Sequence, residues 1–133
     1  LYLALWVTVI ADSDVNLRWE VVDAFLAASR GGDFDALLAV LDPDVVLRAD
    51  RAAVLAGASR EVRGAPAVAK QFSGRARFAQ PALVDGVVGA VWAPGGRPRV
   101  VFGFTITRGK IVEIDILADP TRLRQLDLAV LND

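Results

Sequence analysis

The segment "KIVEIDILADPTRL", Lys110–Leu123, decides how the sheet of this protein is built. From Lys110 to Ala118 its residues alternate as a half-buried strand requires. Side chains two apart in a strand project from the same side. Val112, Ile114 and Ile116 therefore share one face, and Glu113 and Asp115 the other. Asp119-Pro120 then reads as the cap and first turn of a helix. The two carboxylates admit two readings: an acid/base pair lining a pocket, or a wetted or partner-facing surface.

The turn before this segment selects between them. A two-residue loop at Arg108-Gly109 sets Phe104 opposite Glu113 and Phe102 opposite Asp115. A three-residue loop, Thr107-Arg108-Gly109, sets Phe104 opposite Val112 and Phe102 opposite Ile114. One residue of register turns every side chain to the other face. The longer loop makes one face wholly apolar and puts Gly109 in the left-handed position of a type I turn plus bulge. It is the register expected here. Val88, Ala90 and Trp92 extend the apolar face through the preceding hairpin, and helices must cover it. Glu113 and Asp115 then share the open face with Val101, Gly103 and Thr105, which favours the surface reading.

The helices come first in the chain. Ser13 or Asp14 is expected to cap a helix in which Val15, Trp19, Val22 and Leu26 form one stripe, widened by Phe25, and which Gly31-Gly32 ends. Asp33 caps a short second helix with Phe34, Leu37, Leu38 and Leu41 inward, ended by Asp42-Pro43. Asp44–Asp50 alternates as a strand, and the stretch from Arg51 to Gly64 reads as a loop or a strand with a turn at Gly57. Pro66 opens a third helix carrying Val68, Ala69 and Phe72. Strands are expected over 82–93, 99–107 and 110–118, separated by "PGGRP" and "TRG". A last helix runs from Pro120 with Leu123, Leu126 and Val130 on one side. The fold class is α+β: a curved antiparallel sheet wrapped around the N-terminal helices, a cone with a natural pocket, closed by a short C-terminal helix.

Composition narrows the chemistry. The 133 residues suit one domain, and 54% of them are apolar, enough for a sizeable core. Fifteen basic and 16 acidic residues leave a net charge of −1, which gives no reason to expect direct nucleic-acid binding. The chain has no cysteine, so disulfides and thiol catalysis are excluded. It has no histidine, the commonest general base and metal ligand. No metal or cofactor is expected. The sequence contains no methionine, which fits a processed chain, an unusual start codon or an excerpt of something longer. Residues 1–14 open with "LYLALWVTVI", too short for a membrane span of roughly 20 residues. They are expected to form an apolar arm, strand or short helix, that packs on the 15–133 domain or on a partner.

Three stretches carry a family resemblance. "AFLAASRGGDFDALLAVLDPDVVLRAD" (Ala24–Asp50), "VRGAPAVAKQF" (Val62–Phe72) and "RGKIVEIDILADPTRLRQL" (Arg108–Leu126) resemble SnoaL-like domains of the nuclear-transport-factor-like superfamily. The likeness runs over nearly the whole chain. It is nearest to the C-terminal extension of actinobacterial extracytoplasmic-function sigma factors of the SigJ type. Asp119-Pro120-Thr121-Arg122-Leu123 fits that group's Asn/Asp-Pro-x-basic-Leu motif, whereas "ADRAAV" (Ala49–Val54) keeps only Asp50 of its Asp-rich segment. The sigma regions themselves are not in this sequence, which fits a free-standing or a truncated relative.

The resemblance implies a cytoplasmic, non-catalytic regulatory domain that tunes transcription initiation by touching the sigma core or RNA polymerase. Asp119, Pro120, Arg122 and Leu123 would make that contact, although helix capping alone accounts for Asp119 and Pro120. Two alternatives stay open. One, read from the residues, is an apolar small-molecule site lined by Phe72, Trp92, Phe102 and Phe104, with Arg48 and Asp50 at its mouth, although core packing and a surface ion pair account for the same residues. The other, implied by the resemblance, is a cyclase or isomerase with Asp50, Glu113 or Asp115 as base. Homodimerisation through the open sheet face belongs to the same set of expectations.

Overall fold

The computed structural model describes the backbone of residues 2–75 and 79–130, with side chains described from Leu17 onward. Among the described residues, five α-helices and seven strands form an α+β domain. They are α1 (Tyr2–Gly31), α2 (Phe34–Val40), β1 (Leu41–Ala49), α3 (Arg51–Leu55), β2 (Glu61–Arg63), α4 (Ala65–Phe72), β3 (Gln80–Val84), β4 (Val87–Trp92), β5 (Val100–Thr107), β6 (Lys110–Leu117), α5 (Pro120–Gln125) and β7 (Leu128–Val130). The strands make one curved, unclosed sheet in the order β2-β1-β6-β5-β4-β3-β7. All pairings are antiparallel except β1 with β6, which run parallel.

Local chemistry explains the helix ends. α1 stops where Gly32 takes φ +65° and the Asp33 N–H reaches the Ala28 carbonyl at 2.9 Å, the left-handed stop that glycine permits. Asp33 then caps α2 by accepting the Ala36 N–H at 3.0 Å. At the other end, α1 is already helical from Tyr2, so no new helix begins at Ser13 or Asp14 and the expected arm is part of α1. The packing expected of Val15 and of residues 1–14 lies outside the described side chains.

The meander differs from expectation in three places. The span 82–93 is not one strand: Asp85 (φ 48°) and Gly86 (φ 82°) form a tight turn that splits it into β3 and β4. Arg108 (φ 54°) and Gly109 (φ 75°) make a two-residue turn with Thr107 opposite Lys110, not a three-residue loop. The chain then inserts Val112 as a bulge, so Thr105 faces Glu113, Phe104 faces Ile114 and Phe102 faces Ile116. The bulge restores the apolar face that the wrong loop length had been invoked to provide. Its cost is that Ile111, not Val112, is buried beside Ile114. Finally, α5 ends at Gln125, and Val130 belongs to β7, paired with β3.

The main core lies between the helices and the inner sheet face. Val22, Phe25 and Leu26 of α1, Leu37 of α2, and Val68, Ala69 and Phe72 of α4 meet Val45, Leu47, Val88, Ala90, Phe104, Ile111 and Ile114. Phe34 was expected inward but is exposed, and Leu41 is buried as the first residue of β1 rather than in α2. A second, smaller core sits on the outer face, where Leu123 of α5 covers Ala82, Val91 and Val101. Among the described residues, no helix is long and apolar enough to cross a membrane.

Candidate functional site

Inside the cone, aromatic rings fill the space between helices and sheet. Phe25 stands edge-on to Phe72 at 5.0 Å and to Phe104 at 5.3 Å, and Phe72 meets Phe102 at 6.1 Å. Such edge-to-face contacts suit the ring quadrupole and add to area burial. Of the four expected lining residues, Phe72 and Phe104 are buried and Phe102 is half-buried. Trp92, at the end of β4, is 40% exposed. Phe25 completes this cluster. Its place on the α1 stripe was legible, but its role between two other rings depends on how α1 crosses the sheet.

Arg48 and Asp50 do not come together. Arg48 projects from the outer face of β1, where it binds Glu113 Oε1 of β6 at 2.5 Å and Glu61 Oε1 of β2 at 3.3 Å. Arg63 completes the row by holding Glu61 Oε2 at 2.9 Å. Hydrogen bonds from Arg63 and then Arg48 hold the Glu61 carboxyl below its usual range. Glu61 and Arg63 went unread because β2 is only three residues long. Asp115 faces Arg48 across the β1–β6 pair and lies beside Glu113 on the same face. Burial, then a hydrogen bond and charge from Glu113, push the Asp115 carboxyl up to about 6, against the pull of Arg48. The two carboxylates are thus on the outer face, away from the aromatic interior.

Asp50 follows β1 and is the N-cap of α3. Its Oδ1 accepts the Ala53 N–H at 2.9 Å, and its Oδ2 accepts those of Ala118 and Asp119 at 2.9 and 3.0 Å. Burial works to raise this carboxyl, but the three N–H groups and the Arg122 charge outweigh it and hold Asp50 below the usual carboxylate range. A carboxylate so engaged is a weak proton acceptor. Asp119 in turn caps α5 through Thr121 N–H at 3.0 Å. Pro120 and Arg122 are exposed, Asp119 is half-buried, and Leu123 is 7% exposed because it seats α5 on the outer face. No group of three or more ligating side chains that could hold a metal ion occurs among the described residues.

Solved structures share this fold. The crystal structure of the extracytoplasmic function sigma factor SigJ of Mycobacterium tuberculosis superposes with a TM-score of 0.62 and 28% identity, over 80% of this chain and 44% of that one. A SnoaL-like protein of unknown function from Burkholderia thailandensis matches with a TM-score of 0.52 and 15% identity, over 76% of this chain and 93% of that one. The fold is SnoaL-like. The SnoaL-like chain also resembles a putative polyketide cyclase from Sinorhizobium meliloti, at a TM-score of 0.50 and 24% identity, over 73% of this chain and 93% of that one. It spans less than half the length of the sigma factor. The sequence matches no protein-family model and no curated protein.

Proposed function

We propose that this SnoaL-like domain is a non-catalytic regulatory module that tunes transcription initiation by contacting the core regions of a sigma factor. The observation that carries the reading is the 28% identity over 80% of the chain to part of a sigma factor. Two features of the site support it. Asp50, one of the three acid/base candidates, spends both oxygens on three backbone N–H groups. Phe25, Phe72 and Phe104 occupy the centre of the cone, where a substrate would otherwise sit. In this reading Pro120 and Arg122 meet the partner, and Leu123 acts indirectly by holding α5 in place.

A second reading, a module that binds a small apolar molecule, is favoured by one observation. Phe102, which meets Phe72, is only half-buried, and Trp92 is exposed at the end of β4. The experiment that separates the two is direct binding. The purified chain is titrated into the promoter-binding regions of extracytoplasmic-function sigma factors, with run-off transcription as the functional readout. Saturable binding that changes transcript yield supports the regulatory module. Failure of a folded sample to bind any of them rejects it.

A further inference from the structure

Four chain segments converge at one end of the sheet. β1 ends there at Ala49, followed by Arg51; β6 ends there, followed by Arg122 in α5. β5 begins there after Arg97 and Arg99, and β4 ends there at Trp92. The register ties them together: Asp50 N–H binds the Ile116 carbonyl, Val101 pairs with Leu117, and the Arg99 N–H binds the Trp92 carbonyl at 2.9 Å. Arg122 lies close enough to lower the Asp50 carboxyl. Arg51, Arg97, Arg99 and Arg122 are all exposed.

The carboxylates at this end are already committed. Asp50 and Asp119 serve backbone N–H groups of the α3 and α5 caps. The arginines of the outer face are different, since Arg48 and Arg63 each hold a glutamate. For Arg51, Arg97, Arg99 and Arg122 no ion pair with a carboxylate occurs among the described residues. A chain with net charge −1 thus gathers, at one end of the sheet, four exposed arginines without an ion pair among the described residues and the exposed Trp92.

We propose that this end of the sheet, Trp92 with Arg51, Arg97, Arg99 and Arg122, docks an acidic, partly apolar peptide segment of a partner protein. Guanidinium forks recognise carboxylates bidentately, and tryptophan and arginine are the residue types that anchor protein interfaces. The patch spans four strands, about 14 Å, which fits a short segment. A long nucleic acid would also meet the acidic residues elsewhere on a chain that carries 16 in all. The inference deepens the regulatory reading by naming the surface, and it rests on that reading only for the identity of the partner.

The test uses a fluorescein-labelled twelve-residue peptide of alternating glutamate and leucine, and a single-stranded oligonucleotide of equal charge, read by anisotropy. The wild-type chain is expected to bind the peptide more tightly than the oligonucleotide, and less tightly as salt rises. Arg51→Gln/Arg99→Gln/Arg122→Gln should weaken peptide binding about tenfold or more, while Arg108→Gln, at the opposite end, retains it; the matching triple Lys variant, which keeps the charge but not the guanidinium fork, should bind between the two. Circular dichroism melts check that each variant is folded. Tighter binding of the oligonucleotide, no peptide binding, or equal binding by the triple Gln variant overturns the proposal. The sigma regions form a separate arm: equal binding by wild type and triple Gln variant defeats the surface assignment, and no binding by either defeats the regulatory reading while the peptide arm still decides the surface.

Discussion

Asp50 and Asp119 form a relay of caps: Asp50 Oδ2 accepts the Asp119 N–H at 3.0 Å, and Asp119 Oδ1 accepts the Thr121 N–H at 3.0 Å. Through it the end of β1 holds the start of α5, although 69 residues separate the two aspartates. The same Asp50 carboxylate caps α3. One side chain therefore closes two helix ends and one strand end, which gives it a structural use with no catalytic step.

Asp50→Ala should accordingly cost about 2–3 kcal/mol, a lost cap plus backbone N–H groups left without a charged acceptor. Urea melts measure this. Because the folded-state pKa of Asp50 is depressed, its contribution is present above the unfolded value of 3.8 and is lost as pH falls through the lower folded value. The difference between wild type and Asp50→Ala should shrink on acidification. A cost below about 0.5 kcal/mol at pH 7 would show that the relay is not holding these ends.

Asp115 has the opposite sign. Its carboxyl is raised from 3.8 to about 6, so the folded state holds the proton more tightly than the unfolded chain does. Stability from this group falls as pH rises from about 4 to about 6 and stays lowered above. Asp115→Asn should stabilise the domain at pH 7 by about 1 kcal/mol, a figure already reduced for its partial exposure, and should do little at pH 4. Paired thermal melts at the two pH values check it. No gain at pH 7 would mean that Arg48 neutralises the pair fully.

Gly89 of β4 lies under the β5 backbone. A Cβ at this position would sit 2.7 Å from the Phe102 carbonyl oxygen and 3.1 Å from Val84 Cγ2. Backbone cannot give way as a long side chain can, so Gly89→Ala should cost about 1–3 kcal/mol by overpacking. Chemical denaturation measures it, and a neutral result would mean that the sheet relaxes freely there.

The aromatic interior makes a prediction about ligands. Phe25→Ala should cost about 3–5 kcal/mol and leave a cavity between Phe72 and Phe104. If the folded variant is recovered, benzene should raise its melting temperature more than that of the wild type, as an apolar cavity binds apolar molecules. Equal stabilisation of the wild type would favour the small-molecule reading instead.

The features legible in the sequence were those set by neighbouring residues. The caps Asp33 and Asp119, the stop at Gly31-Gly32, Pro66 at the start of α4 and the alternation in β6 all depend on contacts a few residues away. Glu113 and Asp115 were placed on the correct face for an incomplete reason, because the Val112 bulge compensates for the shorter turn. The parallel β1–β6 pair and the β3–β7 pair join distant parts of the chain and leave no periodic trace. Asp85-Gly86 did carry a turn signal, obscured by the apolar residues on both sides. The site was less legible than the fold. Arg48 with Glu61 depends on the unread β2, and the second duty of Asp50 depends on where β6 ends.

Contact with a sigma core can be measured by isothermal titration of the purified chain against sigma promoter-binding regions. Saturable one-to-one binding is expected, weakened by Arg122→Gln and little changed by Asp115→Asn. A folded chain that releases no heat and makes no complex with these regions, while turning over a cyclase or isomerase substrate in an Asp50-dependent way, would contradict it.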